Sequence, residues 1–137
     1  MAFEKVDTII LVDDDPITCY LNAKLIEGMG YEGAIVELCS GEAALDYLRK
    51  TRSPENKTRS TLILLDINMP EMNGFEFLQE LRVLQAINKE KLGVAILSSS
   101  TSQKDQDEAT RHVLAGYLTK PLLEEELLEI LQSPCFI

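Results

Sequence analysis

Short apolar runs alternate with amphipathic stretches along the chain. The runs at 8–12, 62–65 and 94–97 are continuous, which is how strands buried on both faces of a parallel sheet read. Those at 34–38 and 116–119 are weaker: Glu37 interrupts the first, and the second mixes small, aromatic and polar residues. Both suit sheet edges. Helical spacing fills the gaps. Ile17, Leu21 and Leu25 recur at i, i+4 and i+8, and Ala44, Leu45 and Leu48 make a shorter stripe. Phe77, Leu81 and Leu84 form a third, and Leu123, Leu127, Ile130 and Leu131 a fourth. Asp15 followed by Pro16 reads as a side-chain cap and a proline at the first helical position. The segment 103–114 also reads as a helix, although only Ala109, Val113 and Leu114 anchor it.

Strands alternating with helices predict an α/β fold with a parallel sheet and right-handed crossovers. The run types place the first, third and fourth strands centrally and the second and fifth at the edges. That is the flavodoxin-like (βα)5 doubly wound sheet of order 2-1-3-4-5. No internal repeat or interdomain linker interrupts the 137 residues, and one domain over 1–137 is expected, with a core of about 8–132 and no output domain following. The segment 51–61 reads as a long polar loop, and the basic residues from Arg49 to Arg59 as solvated.

Charge narrows the partners. The 23 acidic and 13 basic residues give a net charge of −10, which argues against nucleic acid or an anionic membrane, since phosphate backbones need a basic face. No run approaches the ~20 apolar residues of a membrane span, and the amino terminus does not read as a signal peptide. Cys19, Cys39 and Cys135 are too few and too scattered for a disulfide framework or a zinc site. A cytoplasmic protein with free thiols is expected.

The chemistry gathers at the strand ends. The first strand is followed by Asp13, Asp14 and Asp15, the third by Asp66 and Ile67-Asn68-Met69-Pro70, the fourth ends in Ser98, and the fifth runs into Lys120-Pro121. In a parallel sheet these all sit on the carboxyl rim, where such sheets bind ligands. Asp13, Asp14 and Asp66 flank the switch point and should converge. Crowded carboxylates repel one another, and a hard divalent cation relieves this. Mg²⁺ takes oxygen ligands, typically one or two carboxylates plus a phosphate oxygen. A carboxylate nucleophile, a metal and a lysine together suit phosphoryl transfer.

Four stretches carry a family resemblance: Ile-Leu-Val-Asp-Asp-Asp-Pro at 10–16, Leu-Leu-Asp-Ile-Asn-Met-Pro-Glu-Met-Asn-Gly at 64–74, Leu-Ser-Ser at 97–99 and Gly-Tyr-Leu-Thr-Lys-Pro at 116–121. In this order, at successive strand ends, they resemble a receiver domain of the two-component response-regulator family. The resemblance implies that Asp66 accepts a phosphoryl group from a sensor histidine kinase or a histidine phosphotransfer protein. It implies that Asp13 and Asp14, with Asp66 and the main-chain carbonyl of Asn68, hold Mg²⁺. Lys120 matches the family's lysine, in front of a cis proline bond. Ser98 matches the hydroxyl residue that moves to the phosphoryl group, and Tyr117 the aromatic residue that swings inward. Such a protein catalyses only its own phosphorylation and dephosphorylation, and signals through protein contacts. The face 103–117, which contains the weakly apolar fourth helix, is the expected downstream partner surface.

Other readings stand beside these. Asp15 reads as a helix cap, Asn73-Gly74 as a turn that starts a helix, and His112 as a surface residue on the fourth helix. Tyr117 also fits plain edge-strand packing. A second function class is a Mg²⁺-dependent aspartyl phosphatase similar to the haloacid-dehalogenase family, with Asp13 as nucleophile in Asp13-x-Asp15. It leaves Asp66 without a role. A flavodoxin-like FMN site conflicts with carboxylates that would repel the FMN phosphate.

Overall fold

The computed structural model describes residues 6–53, 59–85, 87–99 and 102–132. The amino-terminal five residues, Pro54 and Lys57 of the polar loop, and the segment from Ser133 with Cys135 therefore lie outside the described residues.

Ten elements alternate: β1 (Thr8–Val12), α1 (Pro16–Gly28), β2 (Ala34–Leu38), α2 (Gly41–Thr51), β3 (Thr61–Leu65), α3 (Gly74–Val83), β4 (Leu92–Ser98), α4 (Gln103–Ala109), β5 (Gly116–Thr119) and α5 (Glu124–Gln132). All strand pairings are parallel and the order is β2-β1-β3-β4-β5. Val12 lies opposite Leu38 and Leu65, and Leu65 opposite Ile96. This register brings the carboxyl ends of β1, β3 and β4 to one level.

Side chains alternate across the sheet and build two cores. Ile10, Val12, Ile63, Leu65, Val94 and Ile96 pack with Ala44, Leu48, Phe77 and Leu81 of α2 and α3. On the other face Ile9, Leu11, Leu62, Leu64, Ala95 and Leu97 meet Cys19, Ala23 and Ile26 of α1 and Leu127 and Leu131 of α5. Burial on both faces is why β1, β3 and β4 read as unbroken apolar runs. Helix starts follow local chemistry: Asp15, Ser40 and Ser102 each accept a hydrogen bond from the first turn of their helix. Asn73 and Glu76 close a capping box at the start of α3. Among the described residues, no helix is long and apolar enough to cross a membrane.

Four expectations need correction. The buried stripe of α1 is Cys19, Ala23 and Ile26, whereas Ile17 and Leu21 are 68% and 59% exposed. Small residues at 19 and 23 let the helix approach the sheet closely, so the larger apolar face turns outward. Second, α4 ends at Ala109, short of Leu114. Arg111 and His112 donate to the carbonyls of Glu108 and Ala109, three residues back, so the last turn tightens and stops. Third, His112 therefore lies in the turn after α4, half-buried, with its ring stacked on Phe75 at 6.0 Å.

Fourth, Arg52 is buried. Its guanidinium donates to the carbonyls of Asn88 (2.8 Å), Arg59 (2.7 Å) and Glu90, and to Thr61 Oγ1 (2.9 Å). It clips the end of α2 to β3 and to the α3–β4 loop. No pattern within 49–59 separates it from its exposed neighbours, because its acceptors are distant main-chain carbonyls.

Candidate functional site

The expected residues meet at the carboxyl ends of β1, β3 and β5. Asp13 and Asp66 follow β1 and β3 directly and are each 5% exposed, whereas Asp14 points to solvent. Carboxylate oxygens of Asp13, Asp14 and Asp66 all lie within 4.8 Å of one another. Lys120, just past β5, reaches Asp13 Oδ2 at 2.7 Å and Asp66 Oδ1 at 3.7 Å. Its own N–H donates to the Ser98 carbonyl at 2.8 Å, tying the lysine to the end of β4. The Lys120-Pro121 peptide bond is cis.

The two buried carboxylates differ in what their oxygens do. Asp13 has both engaged: Oδ2 takes Lys120 and Oδ1 accepts the Asp15 N–H at 2.9 Å. Asp66 Oδ1 accepts the Asn68 N–H at 3.3 Å. Asp66 Oδ2 has no hydrogen bond among the described residues. Since no fully buried side-chain oxygen there lacks a partner, Oδ2 opens on the crevice.

Charge is poised. Burial pushes the Asp66 carboxyl above its ordinary pKa, the Asp13 charge adds to this, and Lys120 and the Asn68 N–H only partly offset them. Burial pulls the Lys120 ammonium down, but the Asp13 hydrogen bond and the nearby carboxylate charges outweigh it, so its pKa ends above the ordinary value. Three carboxylates and one lysine leave negative charge uncompensated. The donor set is all oxygen and hard, which fits a cation such as Mg²⁺.

The loop after β3 is packed tightly. Gly74 N–H donates to the Ile67 carbonyl at 2.9 Å. A Cβ on Gly74 would lie 2.6 Å from the Asp66 carbonyl oxygen and 2.8 Å from Ile67 Cα, so only glycine lets α3 begin this close to the aspartate. Ser98 is fully buried at the end of β4, and Tyr117 is half-buried on β5 opposite Ile96. Burial, helped by Asp105, pushes the Tyr117 phenol above its ordinary pKa.

The family model of the response regulator receiver domain matches residues 9–132. The chain belongs to that family. This receiver domain is 33% identical to the probable methanogenesis regulatory protein FilR2 of Methanothrix harundinacea over 119 residues, 87% of this chain and 75% of FilR2. A two-component response regulator of Cytophaga hutchinsonii matches with a TM-score of 0.78 and 31% identity, covering 93% of this chain and 95% of that one. The Mn²⁺-bound form of response regulator Rcp1, a protein of Synechocystis, matches with a TM-score of 0.68 and 27% identity over 92% and 89% of the two chains. The receiver domain is thus a component of two-component signalling, a family whose members work with histidine kinases or phosphotransfer proteins.

Proposed function

We propose that this receiver domain takes a phosphoryl group onto Asp66 from the phosphohistidine of a sensor histidine kinase or a histidine phosphotransfer protein in the cytoplasm. The observation that carries the assignment is the free Oδ2 of Asp66 facing the crevice, 3.7 Å on its other oxygen from Lys120. Oδ2 forms the new bond to phosphorus while the phosphorus–nitrogen bond breaks and its electron pair stays on the imidazole. Asp13 is a poor nucleophile by the same measure, as both its oxygens are committed. That disfavours the Asp13 phosphatase reading.

Asp13, Asp14 and Asp66 would hold Mg²⁺ with the main-chain carbonyl of Asn68. When bound, Mg²⁺ neutralises charge on the transferring phosphoryl oxygens. The Mn²⁺-bound relative supports a divalent cation here. Lys120 rests on Asp13 and is free to shift its ammonium to a phosphoryl oxygen, which offers a stronger acceptor. The phosphodonor approaches over α1, where Ile17, Tyr20 and Leu21 are exposed. The adjoining hollow of about 490 Å³ is lined by Leu21, Leu25, Pro121 and Leu122 with Thr18 and Asn22 and reaches Lys120, so a mainly apolar surface adjoins the lysine of the crevice.

Metal binding is testable on stability alone. Adding Mg²⁺ to the EDTA-treated protein is expected to stabilise it by about 1.4 kcal/mol at roughly ten times its Kd. Asp14→Asn removes one repelling charge, so the metal-free variant should gain roughly 0.5–2 kcal/mol and lose most of the Mg²⁺ response. Coincident melts of wild type with EDTA and with Mg²⁺ would sink the metal assignment.

Phosphorylation adds charge and strong acceptors at Asp66. Ser98 then turns its hydroxyl toward them, space opens near Tyr117, and the short α4 repacks at little cost. The face 103–117 is the downstream surface in this reading. Amide hydrogen exchange across 103–117 should change with beryllium fluoride in wild type and stay flat in Ser98→Ala. An equal response in both proteins would remove Ser98 from the coupling.

A further inference from the structure

The chain is acidic, with a net charge of −10, yet one hollow on its surface is lined by three basic side chains, an imidazole and apolar side chains. The second half of α3 and the turn after α4 enclose about 230 Å³. Leu78 and Leu81, 5% and 1% exposed, form the floor, and Val113, 62% exposed, forms one rim. Arg82, Lys89 and Arg111 stand around it, and His112 closes the side next to Phe75. No carboxylate is among the described residues that line it.

Arg82 and Lys89 are not neutralised by any carboxylate among the described residues. Lys89 Nζ donates to the Arg82 carbonyl at 2.8 Å, which fixes the ammonium over the end of α3. Arg111 shares Glu108 at 2.8 Å, outside the hollow, and Arg82 has no carboxylate partner among the described residues. Burial depresses the His112 pKa; of the nearby charges Glu108 pulls it up, and Arg82 and Arg111 push it down. Elsewhere the acidic surface repels polyanionic chains.

We infer that this hollow docks an acidic peptide segment of a partner protein, with one branched aliphatic side chain seated on Leu78 and Leu81 and flanking carboxylates on Arg82, Lys89 and Arg111. An apolar anchor in a small desolvated pocket supplies affinity, and the ring of opposite charge supplies orientation and rate. The size of the hollow suits a single side chain and is below that of a typical small-molecule site. This narrows the downstream face to its Arg111–Val113 end and rests on that reading only for placing a partner there. The hollow lies apart from Asp66, so it can be tested without any phosphoryl group.

The test is a ¹H–¹⁵N titration of the unphosphorylated full chain with a capped pentapeptide: leucine flanked on each side by one aspartate and one glutamate. Saturable shifts confined to Leu78, Arg82 and Val113 and their neighbours are expected, weakening as salt is added. Arg82→Glu should bind at least ten-fold more weakly, and so should Val113→Asp, each with an otherwise unchanged spectrum. Asp66→Asn should bind as wild type does, which separates this inference from the phosphorylation reading. Absence of localised shifts at millimolar peptide overturns it. So does equal binding of a peptide with glycine in place of leucine, or the same shifts from inorganic phosphate, since either makes the hollow a bare anion site. Shifts that appear on concentrating the protein alone would assign the surface to a second copy instead.

Discussion

Incubated with acetyl phosphate and Mg²⁺, the wild-type chain is expected to gain one phosphoryl group, and Asp66→Asn to gain none at that position. Of the four carboxylate oxygens of Asp13 and Asp66, only Asp66 Oδ2 has no hydrogen bond among the described residues. Replacing it with an amide removes the nucleophile while keeping the shape, so the loss should be complete rather than graded. Asp13→Asn serves as the contrast. It removes the charge that pairs with Lys120 at 2.7 Å and weakens metal binding, so labelling slows, but the label still falls on Asp66. Intact-mass analysis and peptide mapping of the three proteins read this directly. Equal labelling of Asp66→Asn, or a label on Asp13, would return the site to the phosphatase reading.

Gly74→Ala is expected to damage stability and the site together. Its Cβ would meet the Asp66 carbonyl oxygen at 2.6 Å and Ile67 Cα at 2.8 Å, both main-chain atoms that cannot rotate away. Either α3 or the loop after β3 must move. Overpacking of this kind costs about 1–3 kcal/mol, and because the displaced atoms belong to Asp66 and Ile67, phosphorylation should slow as well. Gly28→Ala is the control: nothing lies within 4 Å of its added Cβ, and at the end of α1 it should be neutral or slightly stabilising. Urea unfolding of both variants checks the first effect and labelling rates the second. A Gly74→Ala protein as stable and as readily labelled as wild type would mean that the close approach of α3 to Asp66 is unimportant.

Strand order was legible because burial is two-sided. Ile63 and Leu64 point to opposite cores, so β3 must be apolar at every position, while β2 and β5 pack only partly and carry Glu37 and Thr119. The positions of Asp13, Asp14, Asp66, Ser98 and Lys120 were legible for a related reason. Each closes a strand or directly follows one, and in a parallel sheet that alone sends them to one rim. The Asp15-Pro16 and Asn73-Gly74 starts are local chemistry, complete within four residues, and needed no partner from elsewhere.

Other features depended on contacts that the local sequence does not contain. The spacing of Ile17, Leu21 and Leu25 is helical whichever way α1 faces, and the sheet chose the small residues Cys19 and Ala23 because they allow close approach. Arg52 is buried by carbonyls from two separate segments, Arg59 before β3 and Asn88 and Glu90 of the α3–β4 loop. His112, in the turn after α4, stacks on Phe75 of α3, 37 positions earlier. The hollow of Arg82, Lys89 and Arg111 forms only when α3 lies beside the turn after α4. The lysine's resting partner was decided in the same way. The fold sets Lys120 on Asp13, the nearer of two carboxylates. Periodicity and strand-end chemistry determine the elements, their order and the rim residues. Which helix face is buried, which oxygen is left free and where positive charge collects follow from distances between segments far apart in the chain, and those exist only once the chain has folded.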